Sequence, residues 1–569
     1  MGIPFEGEAW ETLPGASRLT LPQRSAIEAE DPLLCVVAGA GAGKTRVLTL
    51  RVARRVRDGS IEADRALVTT FSRKAAEELR TRLWSLGVSG VKAGTFHRTA
   101  FGLLREHREL RNRPAPQLMT DRRRMLAEVA KIDGRRTRSL DGEIGWAKAR
   151  LVTPERYEAE ARRHRRRSGF STQQVADAYA AYEEERTRRR LLDFDDLIVA
   201  CADALAGDAE FADSIRWRTR HLFVDEMQDV NPAQFRLLTA MLADDPDLFV
   251  VGDPNQSVYG FNGADPTLLA RLPDLLRGTK VIRLDENHRC TPQVVAVATA
   301  VLRSGGSFSD DGDGADDVIA PRTTRVDGPV PKVVSHETDE DEAAWAATQA
   351  KMSRTPGRRW SSIAVLTRTN AQLAKVQAAM DAARVPSRIA GSDLGPGSDL
   401  QADDDGGRGG GRGGGGGSPR FADADVDVDL ALAEDTGEDP ASRDAVVLTT
   451  FHRAKGLQWP TVMVLGLGAG LMPIASAQTD AAVDEERRLL YVALTRSEDE
   501  LYCSWFERTG DRPARGRGGG PSPWLAPIER TVAQLEKEAA PTAASEVSAR
   551  VAELRQRLAE GSEGADTTR

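Results

Sequence analysis

Short, unbroken apolar runs recur along the chain, each ending in a polar or glycine-rich stretch. They are Leu34–Ala38, Ala66–Thr70, Leu222–Val224, Leu248–Val251, Ile363–Thr367, Val446–Thr450 and Val462–Leu465. Runs this short, without in/out alternation, predict strands buried on both faces of a parallel sheet. Helical spacing appears between them, as in Ser72–Leu86 and Pro232–Leu242. The alternation predicts an α/β fold. From Phe101 to about Arg190 the pattern is helical with little strand signal, which predicts an all-helical insertion in the first α/β unit.

Composition narrows the class. The 569 residues are 40% hydrophobic, enough for several domains of roughly 150 residues each, so a wholly disordered chain is excluded. No apolar run approaches the ~18 residues of a membrane span. Met1–Trp10 carries two glutamates and lacks a basic, apolar lead, so it does not read as a secretory signal. The four cysteines stand far apart, which disfavours zinc and disulfides and fits a reducing compartment. Net charge is −8, yet Phe101–Phe170 holds 19 Lys and Arg against 10 Asp and Glu. Runs such as Arg122-Arg123-Arg124 and Arg162–Arg167 either track phosphates or form a solvated helix surface, and charge alone leaves both open. Residues 391–443 combine a near-pure glycine run with flanking aspartates and read as a flexible linker. Shorter breaks of the same kind fall at Ser304–Asp317 and Arg512–Ser522, and the Ala/Glu-rich tail from Leu525 is helix-prone.

The first apolar run leads into Ala38-Gly39-Ala40-Gly41-Ala42-Gly43-Lys44-Thr45-Arg46. Small residues here let backbone N–H groups curl round a triphosphate at a helix N-terminus. Lys44 would reach the terminal phosphates and Thr45 would ligate Mg²⁺. Ala38 departs from the strict pattern, which has glycine there. The run Leu222–Val224 ends in Asp225-Glu226, so one carboxylate can hold Mg²⁺ while its neighbour activates water. Arg289 and Arg496 are candidates to stabilise charge on the transferred phosphoryl group.

The order of these and further signatures resembles the UvrD/Rep/PcrA group of superfamily 1 DNA helicases. It runs through Gln23-Arg24, Thr70–Ala76, Gly94–His97, Leu192–Asp196, Asp225–Asp229, Val251–Gly260, Asn287–Arg289, Ala364–Asn370, Thr450–Leu457 and Glu485–Arg496. The resemblance implies two RecA-like motor domains that close on ATP and Mg²⁺ and walk 3′→5′ on single-stranded or tailed duplex DNA. Gln23 would read adenine, and Gln256 would sense the γ-phosphate. Phe71, Phe96, Phe194, Tyr259 and Phe261 would stack bases. Thr95, His97, Arg368 and His452 would meet the DNA backbone or couple it to ATP. Expected boundaries are an N-terminal extension (1–17), a first motor (18–100 and 191–285) with a basic helical insertion (101–190), and a second motor (286–390 and 444–530). The linker (391–443) and a tail (531–569) complete the plan.

Some positions depart from the family. His288 replaces an aromatic that packs on adenine, Asn262 replaces an arginine, and Gln458 replaces a glutamate near the ribose. Only 75 residues separate Asn370 from Val446, where relatives carry a large helical 2B insertion, so that subdomain is expected to be missing. The resemblance further implies a cytoplasmic, nucleoid-associated protein with repair or recombination partners, no membrane and no zinc. Two other readings stay open. One is the motor subunit of a RecB/AddA-like helicase–nuclease complex, and the other is a catalytically idle, ATP-gated DNA-binding module.

Overall fold

The computed structural model describes residues 10–119, 121–304, 321–390, 444–509, 512–513 and 520–539. The expected linker at 391–443 lies outside them, as do most of the break at 304–317 and the tail beyond Ala539. Six parallel strands form the first sheet: β1 (Leu33–Ala38), β2 (Ala66–Thr70), β3 (Lys92–Thr95), β4 (His221–Val224), β5 (Asp247–Gly252) and β6 (Lys280–Leu284). Their spatial order is β3-β2-β4-β5-β1-β6. β1 is flanked by β5 and β6, with Val36 paired to both Val251 and Ile282. The unbroken apolar character of β1 follows, because helices cover both faces: Cys35 packs into one core and Leu34 and Val36 into the other.

The second sheet repeats this plan with β7 (Lys332–Thr338), β8 (Ile363–Thr367), β9 (Ser387–Ile389), β10 (Val446–Thr450), β11 (Trp459–Val464) and β12 (Ser497–Thr509). The order is β7-β12-β11-β8-β10-β9 with these six strands parallel, and the short strand Arg512–Pro513 pairs antiparallel with the end of β12. Two parallel sheets sandwiched by helices are the two RecA-like motor domains. The motors are not independent bodies, since Ala40 and Val258 of the first enter the apolar core of the second.

Two elements cross expected boundaries. Helix Phe96–Leu110 runs through residue 100 because Phe96 and Ala100 pack into the first motor, and the insertion's own core begins at Met119. Helix Leu525–Ala539 runs through residue 530 because Leu525, Ile528 and Val532 dock on the second motor.

Helix Lys44–Arg57 is held near its middle and at its far end. Near its middle, buried Arg51 donates to the carbonyls of Ala26 (3.0 Å) and Ala29 (2.6 Å), capping the C-terminus of helix Leu21–Glu28. At its far end Arg55 grips Asp247 with two bonds of 2.9 and 2.8 Å, and His221 Nδ1 lies 2.5 Å from the same carboxylate. Burial pushes the Asp247 carboxyl up, but these hydrogen bonds outweigh it and bring it down to about 2. A depressed carboxyl stabilises the fold above its unfolded value of 3.8 and loses that contribution as pH falls through about 2. Asp247→Asn should therefore cost about 2 kcal/mol at pH 7 and almost nothing near pH 2, measured by urea unfolding at each pH.

Candidate functional site

The C-terminal ends of β1, β4 and β5 converge on one edge of the first sheet, where ligands of open α/β sheets bind. Ala38 is the last residue of β1 and is fully buried. It is not among the positive-φ positions, so the missing glycine costs nothing there. Gly41 (φ 71) and Gly43 (φ 80) take the left-handed turns. Gly43 is the N-cap of helix Lys44–Arg57 without a side-chain cap, which leaves first-turn N–H groups for an anion. Lys44 Nζ donates to the carbonyls of Ala38 (3.3 Å) and Gly39 (3.5 Å) and lies 3.8 Å from Asp253. Thr45 Oγ1 is 3.2 Å from Asp225 Oδ2.

Burial and the neighbouring Glu226 push the Asp225 carboxyl up. Burial acts on Glu226 too, but Lys455 and Lys44 outweigh it and hold Glu226 below its usual range. The pair is thus pushed apart, Asp225 towards its protonated form and Glu226 towards its ionised form. Glu226 also sits at φ 54, a conformation costly for a side chain with a Cβ, which turns it away from the strand direction. Gln23 occupies both ends of its amide, accepting from Thr20 N–H (3.1 Å) and donating to Ala42 O (3.0 Å). Arg46 is turned outward instead, bonded to the carbonyls of Gly15 and Arg18.

The second motor closes this edge. Asn287 donates to Ala40 O (2.8 Å) and its Oδ1 accepts from the N–H groups of Arg289 and Cys290, both at 2.8 Å. A side chain at Gly41 would come within 2.7 Å of that oxygen. His288 N–H bonds Gly41 O, its Nδ1 meets Thr324 Oγ1 at 2.8 Å, and its buried Nε2 has no partner. Arg289 reaches Thr495 O at 3.4 Å. Arg496 is buried, bonded to the carbonyls of Val492 and Leu457, and pushed down to about 9 by burial and by Arg289. Gln256 donates to Asp253 at 2.5 Å. Gln458 is exposed and bonds Glu498. Sequence reasoning missed Lys455, which bonds Asp229 (2.5 Å) and Gln256 O (2.6 Å) across the cleft. Its only signal was a place inside the Thr450–Leu457 signature.

Beside the cleft lies an aromatic cluster. Phe71, 42% exposed, stacks on Tyr259 with centroids 4.8 Å apart and planes 15° from parallel. Phe261 and His452 meet edge to face at 5.5 Å. Burial, with Arg368 and Lys455 nearby, pushes the His452 ring down to about 3, so it is neutral.

The other residues expected to meet DNA make contacts within the chain. Phe96 belongs to the first motor's core because it opens a helix that faces inward. Phe194 is half-buried against Phe101, Leu104 and Leu197. Thr95 is buried and caps helix Phe96–Leu110 through Arg98 N–H. His97 is pushed down by burial beside Asp195 and Asp193. Arg368 is held by Glu486 through bonds of 3.0 and 2.6 Å. Part of the insertion's basic charge is met by carboxylates: Arg122 by Asp141 and Asp195, Arg166 by Glu143, and Lys148 by Glu183, Asp193 and Asp196.

Residues 19–275 match the UvrD/REP helicase N-terminal domain, and residues 282–393 and 424–508 match the UvrD-like helicase C-terminal domain. The ATP-dependent DNA helicase UvrD2 of Mycobacterium bovis is 34% identical over 551 residues, spanning 85% of this chain and 78% of that protein. The chain belongs to the UvrD-like helicase family. UvrD2 of Mycobacterium tuberculosis is similar to the same extent. The ATP-dependent DNA helicase PcrA of Staphylococcus epidermidis is 29% identical, and the match covers 65% of this chain and half of PcrA.

In this UvrD-like chain the cleft bridge gives a direct prediction. Burial raises the Asp229 carboxyl to about 7 even though Lys455 lowers it. Lys455→Met strands that carboxylate and should cost about 3–5 kcal/mol. The loss should be larger at pH 8 than at pH 6, where Asp229 takes a proton, as read by thermal denaturation at both values.

Proposed function

We propose that this protein is an ATP-dependent DNA helicase or single-stranded DNA translocase that moves 3′→5′. One observation carries the reading: a single cleft sets Lys44, Thr45, Asp225, Glu226 and Gln256 of one motor against Arg289 and Arg496 of the other. The donor set fits ATP with Mg²⁺. Thr45 and Asp225 supply two adjacent hard oxygen ligands, as a hydrated magnesium ion takes, beside uncapped helix N–H groups suited to phosphates. Bound there, the ion would neutralise charge on the phosphate oxygens. Glu226, ionised and turned off the strand, accepts the proton of the attacking water. Lys44 exchanges its loop carbonyls for phosphate, and Gln256 senses the γ-phosphate. Arg289 and Arg496 stabilise the transition state from across the cleft. Gln23 and His288 flank the loop on the side proposed for the base, and Gln458 is left to meet the ribose.

The track is proposed to run past Phe71, Tyr259, Phe261 and His452. Rings 4.8 Å apart touch each other, and a base enters between Phe71 and Tyr259 only if they separate to about 7 Å, two contact layers of ~3.5 Å. Opening and closing the cleft supplies that movement. The names of the UvrD2 and PcrA relatives support ATP-dependent DNA unwinding. The short interval between Asn370 and Val446 supports loss of the 2B insertion.

Single-stranded DNA should raise the ATPase rate at least tenfold, and Lys44→Ala should abolish it, measured by phosphate release. A rate indifferent to DNA overturns the reading. Without 2B, translocation on single strands should persist while the monomer unwinds a 3′-tailed duplex poorly; a strand-displacement assay on 3′- and 5′-tailed substrates checks both polarity and this loss.

A further inference from the structure

The turn Gly260–Asn262, between the stacking aromatics, is gripped from both sides. On the first side, Gly263 (φ 93) abuts the insertion helix Gly134–Ala149, where an added Cβ would fall 2.6 Å from that of Ala149. Arg150 follows, 3.5 Å from Ala264 O and 3.6 Å from Asp265. On the second side stands Glu485 of helix Asp480–Leu494, which belongs to the other motor. Its Oε1 accepts from Phe261 N–H at 3.4 Å, and its Oε2 lies 2.7 Å from where a Gly260 Cβ would stand. Asn262 brings no cation to this turn, so the first motor meets the carboxylate through main-chain N–H groups.

Arg488, on the same helix, favours the ionised form of Glu485, and the other charges around it have partners of their own. Glu486 holds Arg368, Asp484 holds Arg487 at 2.8 Å, and Arg488 donates to Ser257 O at 2.9 Å. Glu485 is a half-buried carboxylate that no step of the proposed hydrolysis uses. Its helix runs directly into Thr495 and Arg496, the side of the cleft that faces Glu226 and Arg289. Glu485 stands nine residues before the helix end at Leu494, roughly 14 Å of helix and a rigid rod on this scale, with Arg496 two residues further on.

We propose that Glu485 is a positioning residue that transmits movement of the arginine-bearing helix to the turn between Tyr259 and Phe261, so that cleft closure resets base stacking. The inference rests on the translocase reading above. When Arg496 is drawn toward nucleotide, the helix moves as a unit and its carboxylate carries the Gly260 and Phe261 amides with it. Lys455 and Arg488 hold the start of the same segment at Gln256 and Ser257. The segment is therefore moved as a whole, and the insertion helix behind Gly263 gives it a surface to pivot on.

The test measures ATP hydrolysed per nucleotide travelled, using phosphate release and arrival at a dye-labelled oligonucleotide end, for the full chain and for Glu485→Gln. The variant keeps the shape and removes one accepting oxygen and the charge. At least a threefold rise in ATP per nucleotide is expected. A 2-aminopurine oligonucleotide should also lose most of its fluorescence change on adding a non-hydrolysable ATP analogue. If Glu485→Gln does not fold, Glu485→Asp, which withdraws the carboxylate by one methylene, is read in the same way. Equal loss of hydrolysis and movement, leaving the ratio at its wild-type value, overturns the inference alone. A wild-type ATPase that ignores single-stranded DNA overturns the proposed function and this inference with it.

Discussion

The two sheets meet around a buried cation. Lys455 leaves the second motor, enters the first, and bonds one oxygen of Asp229 and the carbonyl of Gln256. Taking such charges out of water is costly, and the arrangement persists only because each is met at close range. Lys455 also lies within electrostatic reach of Glu226 and over the ring of Tyr259, 5.1 Å from its centroid. One ammonium group thus touches the machinery proposed for hydrolysis and the surface proposed for DNA. Any opening of the cleft must uncover it, so the nucleotide edge and the aromatic edge share one energetic hinge.

Around that contact the folding logic is economical. Parallel strands put every chemically useful loop at one end of the first sheet, and the second motor presents Asn287, Arg289 and Arg496 to that same end. Asn287 ties the phosphate loop to the arginine that follows it, so the loop's shape and the arginine's place are not independent. Gly41 is needed twice over, for its left-handed backbone and for the space that Asn287 fills.

What the sequence revealed was chemistry carried by neighbours along the chain. The phosphate loop, the Asp225–Glu226 pair and the alternation of strands and helices are each written within a few consecutive residues. Contacts between distant residues were not legible. Asp229 and Lys455 lie in separate signatures, and nothing in either names the other. Phe71 and Phe96 look alike in sequence, each beside a strand end, yet one follows a strand into solvent and the other begins a helix that turns inward. The arginine-rich insertion left two readings open for a related reason. Charge can be counted along a chain, but its pairing with Asp141, Glu143 or Asp193 exists only after folding.

The second sheet carries a topological consequence. β9 and β10 pair side by side through only three residue pairs, Ser387 with Val446 through Ile389 with Leu448. The strands before the intervening segment supply β7, β8 and β9, and those after it supply β10, β11 and β12. In space the two sets interleave, with β8 between β10 and β11. A nick anywhere between Ile389 and Val446 would therefore yield two polypeptides, neither holding the second sheet complete. The halves would be obligate complements, zipped together strand by strand like the teeth of a comb.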